Sequence, residues 1–134
     1  MLQSEVEQLN EDFAKTERNY AKMMNEGENI LTTLLLKANS GINVNEKEWK
    51  RLEEYTKMVY PRFFDNLLSA VPNINQDYIR IAALVKLDFS TTHIASLVCR
   101  SVTAVSNARR RMYEKAHKDS AGNAELADKW FKGL

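Results

Sequence analysis

Apolar residues recur along this chain at spacings of three and four, the period of an α-helix. From the N-terminus they alternate by four and three through Leu2, Val6, Leu9, Phe13, Thr16, Tyr20, Met23, Gly27, Ile30 and Leu34. Only Thr16 and Gly27 interrupt the apolar series, and the positions between are mostly Glu, Lys, Asn and Gln. A seam of this kind predicts a coiled coil. If continuous, the helix would reach roughly 50 Å at about 1.5 Å per residue, and its stripe would need a partner. Two partners are open: a second copy of the helix, or the next helix folded back. Gly27 costs about 1 kcal/mol against alanine and suits a bend. Beyond it, Ile30, Leu31, Leu34, Leu35 and Leu36 form a wider stripe, suited to docking on a globular body. The seam starts at residue 2 with no capping residue before it, as expected of a chain cut from a longer protein.

Asn39, Ser40 and Gly41 should end this helix. Asn45 with Glu48 reads as a capping box. Trp49, Leu52, Val59, Phe63, Leu67 and Val71 then continue at helical spacing across Pro61. A proline there predicts a kink or two abutting helices. Asn75 caps a further helix, with Ile79, Ala82, Ala83 and Leu87 expected to face inward. Next come Ile94, Leu97 and Val98 on one face of a short helix, a break over Cys99 to Ser101, and a second helix that carries Val102, Val105, Ala108 and Met112 at spacings of three and four. Two short helices joined by a tight turn make a helix-turn-helix. A last helix is expected from about Ala124 to Phe131. No stretch alternates with the period of a strand. The expected fold is all-α: a long N-terminal coiled-coil helix over residues 1–41, connecting helices over 42–75, and a helix-turn-helix domain over 76–134.

Charge sharpens this picture. The net charge is +1, but residues 1–58 hold 8 Lys+Arg against 11 Asp+Glu, or −3, and residues 59–134 hold 11 against 7, or +4. Within 100–118, Arg100, Arg109, Arg110, Arg111, Lys115 and Lys118 oppose Glu114 alone. A basic second helix in a helix-turn-helix is what the major groove of DNA accepts. On a recognition helix of about 102–115, with Val105, Ala108 and Met112 inward, Thr103, Ser106, Asn107 and Arg110 are the expected base contacts. Thr92, Arg100, Ser101, Arg109, Arg111 and Lys115 are the expected phosphate contacts.

Other chemistry is not suggested. His93 and His117 lack partners at metal-ligand spacing, and Cys99 has no base beside it. No Gly-rich phosphate loop or catalytic constellation occurs, so an enzyme, a cofactor, a metal or a small-molecule ligand is not expected. Trp49 and Trp130 read as core anchors. With one cysteine, no run of 18 apolar residues and no secretory signal pattern, the expected location is cytoplasmic.

From Trp49 onward the chain resembles the C-terminal output domain of bacterial tetratricopeptide-repeat transcriptional regulators, whose helix-turn-helix is of the LuxR type. The resemblance covers about residues 49–118. It rests on the Tyr60-Pro61 step with Phe63, Phe64 and Leu67, and on the helix from Tyr78 to Leu87. It continues at Ser90, Ile94, Ala95, Leu97, Ser101, Val105, Ala108, Arg109, Arg111 and Lys115. The chain departs from the pattern at His93, where the family usually has Glu, and at Arg100, where an aliphatic closes the turn. It departs again at Val102, often Pro, and at Glu114, usually basic. The resemblance implies sequence-specific binding of double-stranded DNA, and the heptad seam predicts a homodimer through residues 2–37. Members often carry repeats upstream, sometimes with a membrane span. No 34-residue repeat is visible here, so a sensor region would be missing from this chain and the full-length protein could be membrane-anchored. The alternative is a helical protein–protein interaction module that kept the fold and lost DNA binding. A purely structural dimerisation segment is a third possibility.

Overall fold

The computed structural model describes residues 29–118 and 122–134. Among them the chain is all-helical, with no strand. Helix α1 occupies residues 29–40. It is followed by α2 (Glu46–Val59), α3 (Phe63–Ala70), α4 (Gln76–Lys86), α5 (Thr91–Val98), α6 (Val102–His117) and α7 (Ala124–Gly133). The seam positions from Leu2 to Gly27 lie outside the described residues. No described helix is long and apolar enough to cross a membrane.

Short polar side chains start most of these helices. Asn45, Asn75, Ser90, Ser101 and Asn123 each accept a hydrogen bond from the backbone N–H three residues on. Each satisfies a donor that the first turn leaves unpaired, worth about 1 kcal/mol. At Asn45 the box is complete. Its Oδ1 accepts from the Glu48 N–H at 2.8 Å, and Glu48 Oε1 accepts from the Asn45 N–H at 3.1 Å. The Lys37 ammonium donates to the same Glu48 oxygen and ties the end of α1 to the start of α2. Burial alone would raise the Glu48 carboxyl. The hydrogen bonds from Lys37 and the Asn45 backbone, with the charges of Lys37 and Arg51, hold it below its ordinary value. The proline step makes two helices rather than one kinked helix. Helix α2 ends at Val59, and α3 starts at Phe63, two residues past Pro61.

One buried cluster runs through all seven helices. Ile30 and Leu34 of α1, Phe63 and Leu67 of α3, Leu84 of α4 and Ile94 of α5 are fully buried in it. So are Val105 and Met112 of α6, and Ala127 and Phe131 of α7. The cluster is continuous across residues 42 and 76. Helix α4 is its centre and packs on α2, α5, α6 and α7. That is why five consecutive residues, Ile81 to Val85, are buried. The inward set expected from one face was too narrow, since Ile79 and Leu87 are only half-buried.

The expected docking stripe on α1 is divided. Ile30, Leu34 and Ala38, spaced by four, are buried in this chain's own core, and Leu31 is partly buried. Leu35 and Leu36 are exposed, Leu36 by 63%. Ile30 and Leu34, the last two positions of the expected seam, are thus part of this chain's own buried cluster. The end of α1 sits on α5. Ser96 Oγ donates to the Ala38 carbonyl at 2.9 Å, and His93 Nε2 is 3.0 Å from Asn39 Oδ1.

Candidate nucleic-acid interface

Helices α5 and α6 are joined through Cys99, Arg100 and Ser101. The Arg100 N–H reaches back to the Ala95 carbonyl at 3.0 Å and the Cys99 N–H to Ser96 at 3.3 Å, the paired bonds of a Schellman stop. This stop requires a left-handed residue, and Cys99 supplies it at φ 56° and ψ 44°. The Cys99 thiol donates to Asn43 Oδ1 at 3.3 Å, so the loop after α1 braces the turn. Ser101 then caps α6 by accepting from the Ala104 N–H at 3.0 Å.

Helix α6 is pinned by Val105, Ala108 and Met112, all buried as expected. Spacing of three and four then fixes what faces out. Thr103, Arg110, Arg111 and Lys115 are exposed, and Ser106 and Asn107 are half-buried. Thr92, Arg100 and Ser101 are exposed on the adjoining helix and turn. Apart from Arg109, every residue expected at the interface is exposed or half-buried. The hydroxyl of Ser101 is engaged as a cap and that of Ser106 leans on Arg109.

Arg109 corrects the expectation of a phosphate contact. It lies four residues after Val105 and three before Met112, on the inward face, and is 5% exposed. Its Nη1 donates to Asp128 Oδ1 of α7 at 2.9 Å. Its Nη2 donates to Thr91 Oγ1 of α5 at 3.0 Å and to Ser106 Oγ at 3.4 Å. A guanidinium enclosed by three helices has no face left for a phosphate. Arg109 is a strut between α5, α6 and α7. The helical spacing could have found it, since positions 105, 109 and 112 form one stripe.

Acidic residues answer much of the remaining positive charge. Arg100 Nη2 donates to Asp77 Oδ2 at 2.7 Å, in a pair whose side chains are 58% and 42% exposed. Arg110 Nε lies 3.7 Å from Glu114 Oε1 one turn on. Arg111 and Lys115 form no ion pair among the described residues. A groove of about 300 Å³ runs between the start of α4 and α6, lined by Asn75, Asp77, Tyr78, Arg100, Asn107 and Arg111. Only the Glu114 partner is legible from the sequence, by its i,i+4 spacing; Asp77 and Asp128 are not, being 23 and 19 residues from their arginines. Among the described residues, no cluster of His, Cys, Asp and Glu is arranged to hold a metal ion. The chain matches no protein-family model, no curated protein and no solved structure.

Proposed function

We propose that this chain is the sequence-specific DNA-binding output domain of a transcriptional regulator of the LuxR-type helix-turn-helix class, with α6 as the helix that enters the major groove. The outward face of α6 carries this proposal. Arg110, Arg111, Lys115 and Thr103 are exposed on a helix whose Val105, Ala108, Arg109 and Met112 are buried, directly after a three-residue turn. On this reading Thr103, Ser106, Asn107 and Arg110 would contact base edges, and Thr92, Arg100, Ser101, Arg111 and Lys115 would contact phosphates. Pairing of two copies through residues 2–37 would bring two recognition helices to successive grooves. Selection from a random duplex library at two salt concentrations tests the proposal. An enriched motif that is lost in an Arg110→Ala/Arg111→Ala variant of unchanged melting temperature supports it. Binding equal to that of the unaltered chain overturns it.

The pairing of Arg100 with Asp77 and of Arg110 with Glu114 favours one second reading, a protein-interaction module. It expects no enrichment at either salt concentration.

A further inference from the structure

We infer that the groove between the first turn of α4 and α6 is the seat of one DNA backbone phosphate, and that the Asp77 carboxylate in its wall competes with that phosphate by holding Arg100 in the free protein. The inference rests on the DNA-binding proposal above. Two guanidinium side chains, Arg100 and Arg111, line this groove with the Asn107 amide and a single carboxylate, Asp77. Arg100 is bonded to Asp77 at 2.7 Å, whereas Arg111 makes no ion pair among the described residues. A carboxylate offers arginine the same charged oxygen acceptors as a phosphodiester. It therefore satisfies Arg100 in the free state as the nucleic acid would in the complex. The pair is exposed on both sides, and such pairs are weak enough for a phosphate to displace. Asp77 itself cannot leave. It belongs to the first turn of α4, where a negative charge is favoured by the helix dipole. When Arg100 turns to the phosphate, Asp77 stays beside it as a like charge. Asp77 thus sets DNA affinity below what the arginines would give, without touching a base.

Four full-length chains test this: unaltered, Asp77→Asn, Arg100→Gln and the double variant. Each is titrated with a fluorescent duplex of about 20 base pairs at about 50 and 200 mM salt, where phosphate contacts dominate binding. Asp77→Asn should bind about three- to tenfold tighter, with a steeper salt dependence, because a competitor for Arg100 and a like charge are both gone. In the Arg100→Gln background the same change should give less than about a twofold gain. Thermal melts confirm folding, and Asp77→Ser replaces Asp77→Asn if the latter fails to fold. Unchanged or weaker binding by Asp77→Asn, with the unaltered chain binding, overturns the inference alone. An equal gain in both backgrounds also overturns it, since Asp77 would then act only as a general repulsive charge. No binding by any of the four overturns the DNA-binding proposal, and this inference with it.

Discussion

Arg109 of α6 and Asp128 of α7 meet at 2.9 Å, Nη1 to Oδ1, with the arginine buried and the aspartate side chain 38% exposed. The two ends of this bond are unequal, and so are the consequences of cutting it. Arg109→Met keeps an apolar stem in the core and lets Asp128 turn to water. It should destabilise by on the order of 1 kcal/mol. Asp128→Ala leaves a buried guanidinium with two hydroxyls for partners and should cost about 2–4 kcal/mol. The double variant should resemble Arg109→Met. Chemical denaturation of the three variants checks the order. On the DNA-binding proposal, Arg109→Met should also leave the salt dependence of binding unchanged, since this side chain is buried.

On the DNA-binding proposal, Arg110 and Lys115 should separate base reading from phosphate contact. Arg110→Ala is expected to cost about 1–3 kcal/mol on a preferred site and to relax choice at one base pair. Lys115→Ala should weaken all sequences alike and lower the salt slope by about one. Titrations on selected and scrambled duplexes distinguish them. A sequence-blind effect of Arg110→Ala would remove it from the base-reading set.

The turn between α5 and α6 holds a testable strain. Cys99 is left-handed at φ 56°, a conformation that disfavours any residue with a Cβ and most of all a branched one. Cys99→Gly should raise stability by about 1 kcal/mol, because the thiol contact to Asn43 is a weak one. Cys99→Val should lower stability by at least as much. Melting temperatures in the order Gly, Cys, Val are expected, and a cysteine more stable than glycine would mean the Asn43 brace outweighs the backbone strain.

Glu48 links stability to pH. Its carboxyl is held below the ordinary 4.5. The carboxylate therefore stabilises the fold at pH values above that ordinary value, and the contribution is lost as pH falls through the lowered folded value. Glu48→Gln should cost about 1 kcal/mol near neutral pH through the Lys37 bond and weakening of the capping box. The difference from the unaltered chain should narrow as the pH is brought to about 3, near the lower edge of the carboxylate range. A difference that is constant with pH would assign the loss to packing alone.

Leu34 and Leu36 distinguish docking of α1 from an open seam. Leu34 is fully buried and Leu36 is exposed, two residues apart on one helix. Leu34→Ala should cost about 2–5 kcal/mol in a dilute sample, and Leu36→Ala no more than about 0.5 kcal/mol. Equal effects would mean that the body of the same chain does not hold α1 in solution.

Most of the helical layout was legible without coordinates because its causes are local. The Asn45 and Glu48 box, the Asn75 cap, the stop at Gly41 and the break at Pro61 each act within about four residues. The inward face of α6 followed from the spacing of Val105, Ala108 and Met112, and the outward position of Arg110 followed with it. Tertiary structure decided the rest. Periodicity could not say that α4 would be enclosed on several sides, nor that Ile30 and Leu34 would be covered by their own chain. Charge content showed a basic segment, but whether a guanidinium is free depends on what the fold brings beside it. Asp77 and Asp128 reach Arg100 and Arg109 across 23 and 19 residues of chain. Coulomb attraction acts through space and not along the sequence, so only the packing of α4 and α7 against α6 could decide which arginines remain available to a phosphate.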